Sequence, residues 1–310
     1  MSQPKLVVRL LTSNLGFVGT ILNIIQLYVL CQCKIGSRLT TVLLRGQSVI
    51  DAYTCLVVFL SRLVGTDITT GVPFLDAVLC YVWRGDNMFW LGIALSVQNL
   101  TCISFDRFCA VCFPRQYKVR QTLLIIGCYL YEVGIVLFLF IPSFLATRFT
   151  SNKCLLEFAI PGVTLEQFFR AQAFLLLIFN YILPAFIMIG SHVYVIHVIR
   201  HPAPGQQSNQ HIGNTIKRLA LTTAMMAGLL LVLHPYEIVR YILATSNVIH
   251  EKSDSVTRQI GSMFVILGAV LNPFVLIALS YTVRRQVVRS VLHYDAIKNA
   301  MYDTNETADS

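Results

Sequence analysis

The residues from Leu123 to Phe140, LLIIGCYLYEVGIVLFLF, decide the fold class of this chain. Glu132 is the one charged side chain in this stretch. The hydrocarbon core of a bilayer is about 30 Å thick, so a helix that rises about 1.5 Å per residue needs roughly 20 mostly apolar residues to cross it. The stretch therefore predicts a transmembrane helix.

Six other stretches have the same character, and the composition agrees with them. The chain is 55% hydrophobic and 13% charged, with a mean hydropathy of +0.67, values typical of membrane proteins. Barrel strands are excluded because they alternate over about 10 residues, whereas these runs are long and continuous. The sequence predicts an all-α membrane protein, a bundle of seven transmembrane helices. The predicted spans are 8–31, 40–64, 86–112, 122–145, 170–198, 218–243 and 259–281.

The net charge of +9 raises nucleic acid as a partner, so the position of the charges has to decide. With the N-terminus outside, 13 Lys and Arg residues lie on the cytoplasmic side and 8 on the outer side. An excess of cationic residues marks cytoplasmic loops. We therefore expect a multi-pass protein of the plasma membrane with its N-terminus outside, and no nucleic-acid partner. No removable signal peptide is expected.

The segment after the last span has an amphipathic pattern. Its apolar residues recur at helical spacing, at Val283, Val287, Val288, Val291 and Leu292, and its basic residues are Arg284, Arg285 and Arg289. This pattern predicts a short amphipathic helix that contacts anionic membrane lipid, although a solvated tail with chance spacing is the alternative. We expect one membrane domain, residues 1–293, that includes this helix, and a cytoplasmic tail, residues 294–310.

Cysteine positions carry a sharp signal once the topology is assigned. Of the nine cysteines, only Cys80 and Cys154 face outward; the other seven fall in spans or on the reducing cytoplasmic side. Cys80 precedes the third span, and Cys154 lies between the fourth and fifth. The two predict a disulfide across the mouth of the bundle, the alternative being two unpaired thiols.

Polar residues inside the spans are the next signal, because a charged one costs roughly 2.5 to 3.5 kcal/mol at the middle of a membrane helix. Asp51 lies in the middle of the second span, and Asn23, Ser96 and Asn272 lie at similar depth in the first, third and seventh. A carboxylate ringed by amide and hydroxyl groups suits a small hard cation such as sodium, or a proton. A structural polar cluster between helices explains the pattern equally well.

Asp106 and Arg107 end the third span on its cytoplasmic side. Ser96 and Arg107 are eleven residues apart, about three helical turns, and so share one face. On spacing alone, an ordinary interfacial pair with snorkelling side chains is the simpler interpretation. Prolines that can kink the later spans are Pro142, Pro184, Pro235 and Pro273.

At this point the residues match a known family. The string from Asp106 to Val111, DRFCAV, followed by Pro114 and Tyr117, resembles the end of the third helix and the second cytoplasmic loop of rhodopsin-like (class A) G-protein-coupled receptors. Other residues fall in the order and helix positions of that family, namely Gly19, Asn23, Asp51, Pro184, His234, Pro235, Tyr236, Asn272 and Pro273. The resemblance implies a receptor that binds an extracellular ligand and activates a heterotrimeric G protein. No metal triad, nucleophile with a base, or phosphate loop indicates an enzyme.

The resemblance also assigns roles to residues. It implies that Arg107 holds the cytoplasmic end closed until an agonist tilts the sixth helix, and that Cys80 and Cys154 form the family's disulfide. Residues expected to serve G-protein coupling and activation are Asp106, Arg107, Phe108, Pro114, Pro235, Asn272 and Pro273. The polar residues Asp51, Ser96, Asn272 and Asn23 resemble the family's sodium site, and sodium is the one cofactor that this implies.

Several positions depart from the family pattern. Leu233, two residues before the sixth-helix proline, occupies a position that is usually aromatic in the family. Leu276, three residues after the seventh-helix proline, occupies a position that is usually tyrosine. The fourth span lacks the usual tryptophan, and no acidic residue near Thr215 is placed to pair with Arg107. Cys80 is two residues farther from Arg107 than is usual in the family. These departures put the gating of activation in question and motivate a non-signalling decoy receptor as an alternative.

The expected ligand pocket lies between the outer halves of spans 2, 3, 5, 6 and 7. Its expected residues are Arg62, Asp86, Phe89, Trp90, Asn180, Tyr236, Glu237, Arg240 and Ser262. Glu237 and Arg240 are three apart on one helix, so they pair with each other or, if unpaired, bind a polar or charged ligand such as a peptide end. We expect a peptide or a small polar molecule as the ligand.

The sequence argues against an amine ligand, a retinal chromophore and an ion-transport function. Phe89 occupies the position that carries an aspartate in amine receptors, and no lysine between Lys252 and Lys298 can form a retinal Schiff base. An ion carrier or channel, with Asp51, Glu132 and Arg107 along its path, would predict inverted repeats and broken helices, and the sequence indicates neither.

Overall fold

The computed structural model describes residues 3–65, 68–150, 153–156, 164–201, 210–249 and 255–289. Its regular elements are almost all helical. The α-helices are α1 (Gln3–Gln32), α2 (Arg38–Val64), α3 (Pro73–Val82), α4 (Asn87–Cys112), α5 (Pro114–Val119), α6 (Gln121–Leu145), α7 (Leu165–Leu177), α8 (Leu183–Arg200), α9 (Gln210–Leu233), α10 (Pro235–Thr245) and α11 (Val256–Leu279). Residues 281–289 are helical as well.

These helices provide seven spans that are long and apolar enough to cross a membrane. The predicted fold class, an all-α bundle of seven spans with a short C-terminal helix, is therefore confirmed. The ranges are span 1, Lys5–Gln32; span 2, Arg38–Val64; span 3, Pro73–Cys112; span 4, Gln121–Phe144; span 5, Leu165–Arg200; span 6, Lys217–Thr245; and span 7, Val256–Leu279.

Burial distinguishes the central span from the peripheral ones. In the most apolar 18-residue window of span 3, 72% of the residues are buried, and α4 contacts α2, α6, α8 and α9. In span 4 the buried share is 28% although the mean hydropathy is 2.4. Apolar side chains that remain exposed along a whole spanning helix are suited to lipid. Span 3 is therefore the axis of the bundle, and span 4 lies on its outside.

Span 3 is longer than the sequence predicted. The predicted run, 86–112, corresponds to α4, whereas α3 extends the span back to Pro73. A 3₁₀ turn, Arg84–Asp86, separates the two helices, and Asp86 adopts a left-handed conformation with φ of 64°. This interruption lies between Cys80 and Arg107, where the chain carries two more residues than the family pattern.

A β-hairpin covers one end of the bundle. Its strands are β1 (Thr147–Thr150) and β2 (Lys153–Leu156), which pair antiparallel with Phe149 opposite Cys154. Cys154 forms a disulfide with Cys80 of α3, with Cα atoms 5.6 Å apart, and the other seven cysteines are free. The predicted disulfide is confirmed. The end of the bundle that carries this disulfide is called the disulfide end, and the opposite end the Arg107 end.

Of the four spans that contain a predicted kinking proline, two are interrupted beside it. Proline has no N–H to donate, so the backbone before it loses a helical hydrogen bond. Pro184 lies just after a π-helical segment, Ile178–Ile182. Pro235 is the first residue of α10, and one residue, His234, separates it from the end of α9. Pro142 and Pro273 lie inside α6 and α11, which continue past them.

The segment after span 7 is helical over 281–289. On its predicted apolar face, Val283 is buried and Val287 packs against the core, but Val288 is 51% exposed. The basic residues Arg284, Arg285 and Arg289 are exposed. Val291, Leu292 and the predicted tail, 294–310, lie outside the described residues. The third loop, 202–209, lies outside them as well.

Candidate functional site

At the Arg107 end, Arg107 is held by an acidic residue and by a hydroxyl of the neighbouring span. Its side chain is 7% exposed, and its Nε donates to Asp106 Oδ2 at 3.0 Å. Its Nη2 also donates to Asp106 and to Thr40 of span 2. Thr40 Oγ1 donates in turn to Asp106 Oδ2 at 2.8 Å. Bonds to ionised groups are the stronger class of hydrogen bond, so this cluster fixes the end of span 3 to the start of span 2.

Tyr117 of α5 completes this cluster from the loop that follows span 3. Its hydroxyl donates to Asp106 Oδ1 and also bonds Ser37, whose side chain caps α2 by accepting from Thr40 N at 3.1 Å. Burial, followed by the negative charge of Asp106, raises the pKa of Tyr117 to about 12. The phenol is therefore a protonated donor at neutral pH. We call Asp106, Arg107, Thr40 and Tyr117 the arginine cluster.

In the middle of the bundle, three of the four predicted polar residues come together. Ser96 Oγ donates to Asp51 Oδ1 at 2.8 Å, and Asn272 Nδ2 donates to Asp51 Oδ2 at 2.8 Å. Asn23 does not join them. Its Nδ2 donates instead to the backbone oxygens of Gly19, at 2.9 Å, and Ala269, at 3.1 Å, which ties span 1 to span 7.

Two amides that sequence reasoning missed extend this polar centre. Gln47 Nε2 donates to Asp51 Oδ1 at 2.8 Å and to Ser96 Oγ at 2.7 Å. Asn99 Nδ2 donates to Gln47 Oε1 at 2.8 Å and to the backbone oxygen of Leu43 at 3.0 Å. Gln47 is four residues before Asp51, and Asn99 is three after Ser96, so helical spacing was the signal that could have found them.

The structure is a seven-span bundle with a polar centre, a buried Asp–Arg pair at one end and a disulfide at the other. A family model described as the seven-transmembrane receptor (rhodopsin family) matches residues 22–276. The chain belongs to this family. It is a class A G-protein-coupled receptor, a member of a family of signalling receptors and not of enzymes. No curated protein matches the chain.

At the disulfide end of the receptor, Asp86 joins three spans. Its Oδ2 lies 4.0 Å from Arg62 Nη2 of span 2 and 3.4 Å from Arg258 Nη2 of span 7. The residue is 6% exposed, and its other oxygen, Oδ1, is buried with no hydrogen-bond donor among the residues that the structure describes. Arg62 and Asp86 were expected to line the pocket. Arg258 was counted only as an outer-side charge.

Glu237 and Arg240 of the receptor pair with each other. Arg240 Nε donates to Glu237 Oε2 at 2.8 Å, a second bond joins Nη2 to Oε1, and both residues are buried. Of the two alternatives for these residues, pairing with each other or binding a ligand, the structure has the first. In span 3, Phe89 is 1% exposed and packs against Trp90 with ring centroids 4.9 Å apart.

The remaining expected pocket residues each have a different partner within the described part of the chain. Asn180 Oδ1 accepts from Gln98 Nε2 at 3.2 Å, and Ser262 Oγ donates to the oxygen of Arg258 on its own helix at 3.1 Å. Tyr236, which was expected to face the pocket, instead packs against Phe264 and is 41% exposed. It shares an exposed apolar stripe of span 6 with Val232, Val239 and Leu243. Glu237, the next residue along the helix and about 100° around it, is only 2% exposed.

The coupling residues of the receptor lie at different depths. Phe108 follows Arg107 and packs against Tyr194 of span 5 with ring centroids 5.4 Å apart, and Pro114 is the first residue of α5. Pro235 and Pro273 lie far along spans 6 and 7, and Leu276 is 0% exposed. Glu132, whose role was left open, is 2% exposed and faces Cys102 of span 3 rather than lipid.

Proposed function

We propose that this receptor takes up a peptide or a small polar molecule at the disulfide end and opens its Arg107 end to a heterotrimeric G protein. In this proposal the disulfide end is extracellular, the N-terminus is outside, and the chain resides in the plasma membrane. The cationic residues of the loops next to the Arg107 end support this orientation, since cytoplasmic loops are the richer in Lys and Arg.

The arginine cluster is the observation that carries the proposal. Three donors, from Thr40, Arg107 and Tyr117, converge on the single carboxylate of Asp106, and all four residues are buried. Such a cluster has a defined closed arrangement that an opening of the bundle must break. A ligand shifts the balance between closed and open states only by the difference in its affinity for them. The cluster thus supplies the closed state on which a ligand acts.

Asp86 supports the chemistry proposed for the ligand. A buried carboxylate oxygen without a donor is costly, and an ammonium or amide group of a ligand would satisfy it. The neighbouring guanidinium groups of Arg62 and Arg258 suit a carboxylate of the same ligand. A molecule that carries both a donor and an anionic group, such as a peptide end, matches this set.

The closed state is tested by the Thr40→Val substitution, which keeps the shape of the side chain and removes the hydroxyl. Hydrogen bonds to charged groups are worth about 1.5 to 3 kcal/mol, so the ratio of open to closed receptor rises roughly tenfold or more. Basal G-protein activation in cells, at equal surface expression, is the measurement. Thr20→Val is the matched control, because among the described residues the Thr20 hydroxyl bonds the Gly16 oxygen of its own helix and no other span. An unchanged basal signal in Thr40→Val would contradict the proposed role.

The ligand site is tested by screening wild-type receptor with a panel of peptides and small polar metabolites, and by repeating the active samples on Asp86→Asn. The expected result is a response that Asp86→Asn loses. Asp76→Asn is the control, because Asp76 lies on the same end but bonds locally to Thr70 and Gly71. Equal loss in both variants, or none in either, would remove Asp86 from the ligand site.

A receptor that binds its ligand without signalling is the second candidate function, favoured by the buried Leu276 at a usual tyrosine position. It predicts saturable ligand binding with no G-protein activation in wild type or in Thr40→Val. The leading proposal predicts activation in both.

A further inference from the structure

The family resemblance implies a sodium ion beside Asp51, and the residues present can be tested for their fit to one. A hard cation takes oxygen ligands, roughly six of them, and excludes N–H groups from its coordination shell. Two of the three groups nearest to the Asp51 carboxylate are amide N–H donors, Gln47 Nε2 to Oδ1 and Asn272 Nδ2 to Oδ2, and the third is the Ser96 hydroxyl, which donates to Oδ1; each distance is 2.8 Å. The carboxylate already has three partners.

The Gln47 amide lies between Asp51 and Ser96, two of the residues that would hold a cation. Its Nε2 is 2.8 Å from Asp51 Oδ1 and 2.7 Å from Ser96 Oγ. Gln47 is 0% exposed and Asp51 is 0% exposed, so no solvent competes for these bonds. A neutral N–H with a partial positive charge thus stands between the two oxygens.

The orientation of that amide is determined by its neighbours. The hydrogen-bonded chain begins at the backbone oxygen of Leu43, passes through Asn99 and Gln47, and ends at the Asp51 carboxylate. Both ends of the chain accept hydrogen bonds only, so each amide must direct its N–H₂ group as observed. A rotation of Gln47 that turned Oε1 towards Asp51 would place two acceptors in contact. The amide therefore cannot turn into an oxygen ligand without breaking the chain.

The space beside the polar centre is small. The adjoining cavity has a volume of about 10 Å³, enough for about one water molecule, and it is bordered by Ser96, Asn272, His234 and apolar side chains.

We infer that the side-chain amide of Gln47 takes the place of a cation beside Asp51, and that this receptor is insensitive to sodium. The polar centre is then a fixed cross-link between spans 2, 3 and 7, held by Asp51 and completed by Asn99. The inference is independent of the ligand and of the proposed function.

The test is the melting temperature of the purified full-length receptor in nanodiscs, with NaCl or KCl at matched concentration. Wild type is expected to melt at the same temperature in both salts. Gln47→Leu removes the amide and frees Asp51 and Ser96, so it is expected to melt higher in NaCl than in KCl. Adding Asp51→Asn to Gln47→Leu is expected to abolish that difference.

Asn99→Leu is a second variant, in case Gln47→Leu does not fold. It frees Gln47 Oε1 to turn towards a cation, and it is expected to acquire the same sodium-specific stabilisation. A sodium-specific rise in wild type that Asp51→Asn removes would overturn the inference. Folded Gln47→Leu and Asn99→Leu proteins that remain indifferent to sodium would overturn it as well, because Gln47 would then not be what excludes the ion.

Discussion

The hydroxyl of Thr40 in span 2 donates a hydrogen bond of 2.8 Å to the carboxylate of Asp106 in span 3. The same hydroxyl accepts from Arg107, so one small side chain serves both members of the Asp–Arg pair. The described contacts therefore hold the arginine through spans 2 and 3 and α5. The proposed closed state can therefore form although the sequence places no acidic residue near Thr215 to pair with Arg107.

Tyr117→Phe is expected to raise basal G-protein activation by several-fold. It removes a donor to Asp106 and leaves Oδ1 of a buried carboxylate without that partner, which costs about 1 to 3 kcal/mol in the closed state. Nucleotide exchange on the G protein without ligand is the measurement, and Tyr28→Phe, at an exposed position of span 1, is the control. Equal basal exchange in wild type and Tyr117→Phe would show that the phenol does not restrain Asp106.

The Tyr117 bond is also expected to persist at alkaline pH. The pKa of Tyr117 in the folded receptor, about 12, lies above the ordinary value of 10, so its contribution to stability is complete below about pH 10 and is lost as the pH rises through 12. The stability difference between wild type and Tyr117→Phe should be the same at pH 7 and pH 9. A difference that disappears by pH 9 would show that the phenol ionises earlier.

Glu132→Leu is expected to stabilise the receptor by roughly 1 to 3 kcal/mol. Glu132 is 2% exposed, and its Oε1 has no hydrogen-bond partner among the described residues. A carboxyl buried in this way is costly, and an apolar residue of similar volume removes the cost. The melting temperature of Glu132→Leu should exceed that of wild type, with Glu132→Gln between them. A loss of stability in both variants would point to a partner that Glu132 requires.

Loss of the disulfide is expected to destabilise the receptor by about 2 to 4 kcal/mol. The bridge joins residues 74 apart in sequence, and closing a long loop restricts the unfolded chain. Cys80→Ala, Cys154→Ala and the double variant should lose the same amount, because each removes one and the same bond. Losses that add in the double variant would mean that the two cysteines stabilise the receptor separately.

Leu276→Tyr, which introduces the residue usual in the family, is expected to destabilise this receptor by about 1 to 3 kcal/mol. Leu276 is 0% exposed, and inserting a larger side chain into a packed core forces neighbours to move. Leu221→Tyr, on the exposed face of span 6, should change the free energy of unfolding by no more than about 0.5 kcal/mol relative to wild type. A stable Leu276→Tyr protein would show that the core retains room for the tyrosine.

The parts of the fold that could be predicted from the sequence depend on hydrophobic length and on topology. The seven spans follow from apolar runs, and the disulfide follows because Cys80 and Cys154 are the two cysteines that the predicted topology places outside. The break of span 3 at Arg84–Asp86 could not be predicted, because a left-handed conformation at Asp86 leaves no hydrophobic signal.

The sites were predicted less completely, because the rotation of each helix is set by packing. Tyr236 was assigned to the pocket by its position along span 6, but it lies on the exposed stripe. Asn23 has the right depth to meet Asp51, yet its amide bonds the backbone of spans 1 and 7. Gln47 and Asn99 could have been found by searching for further polar residues one helical turn away from Asp51 and Ser96.

The central claim, that this receptor activates a G protein through Arg107, is tested most directly by nucleotide exchange with purified components. Wild-type receptor, Arg107→Ala and the control Arg115→Ala, an exposed arginine of α5 at the same end, are compared in nanodiscs with a heterotrimeric G protein. The account predicts exchange above the receptor-free rate in wild type and Arg115→Ala. It predicts loss of exchange in Arg107→Ala, because the arginine that is held in the closed state is proposed to engage the G protein in the open state. Equal exchange in wild type and Arg107→Ala would contradict it, as would a wild type that binds its ligand and never exceeds the receptor-free rate.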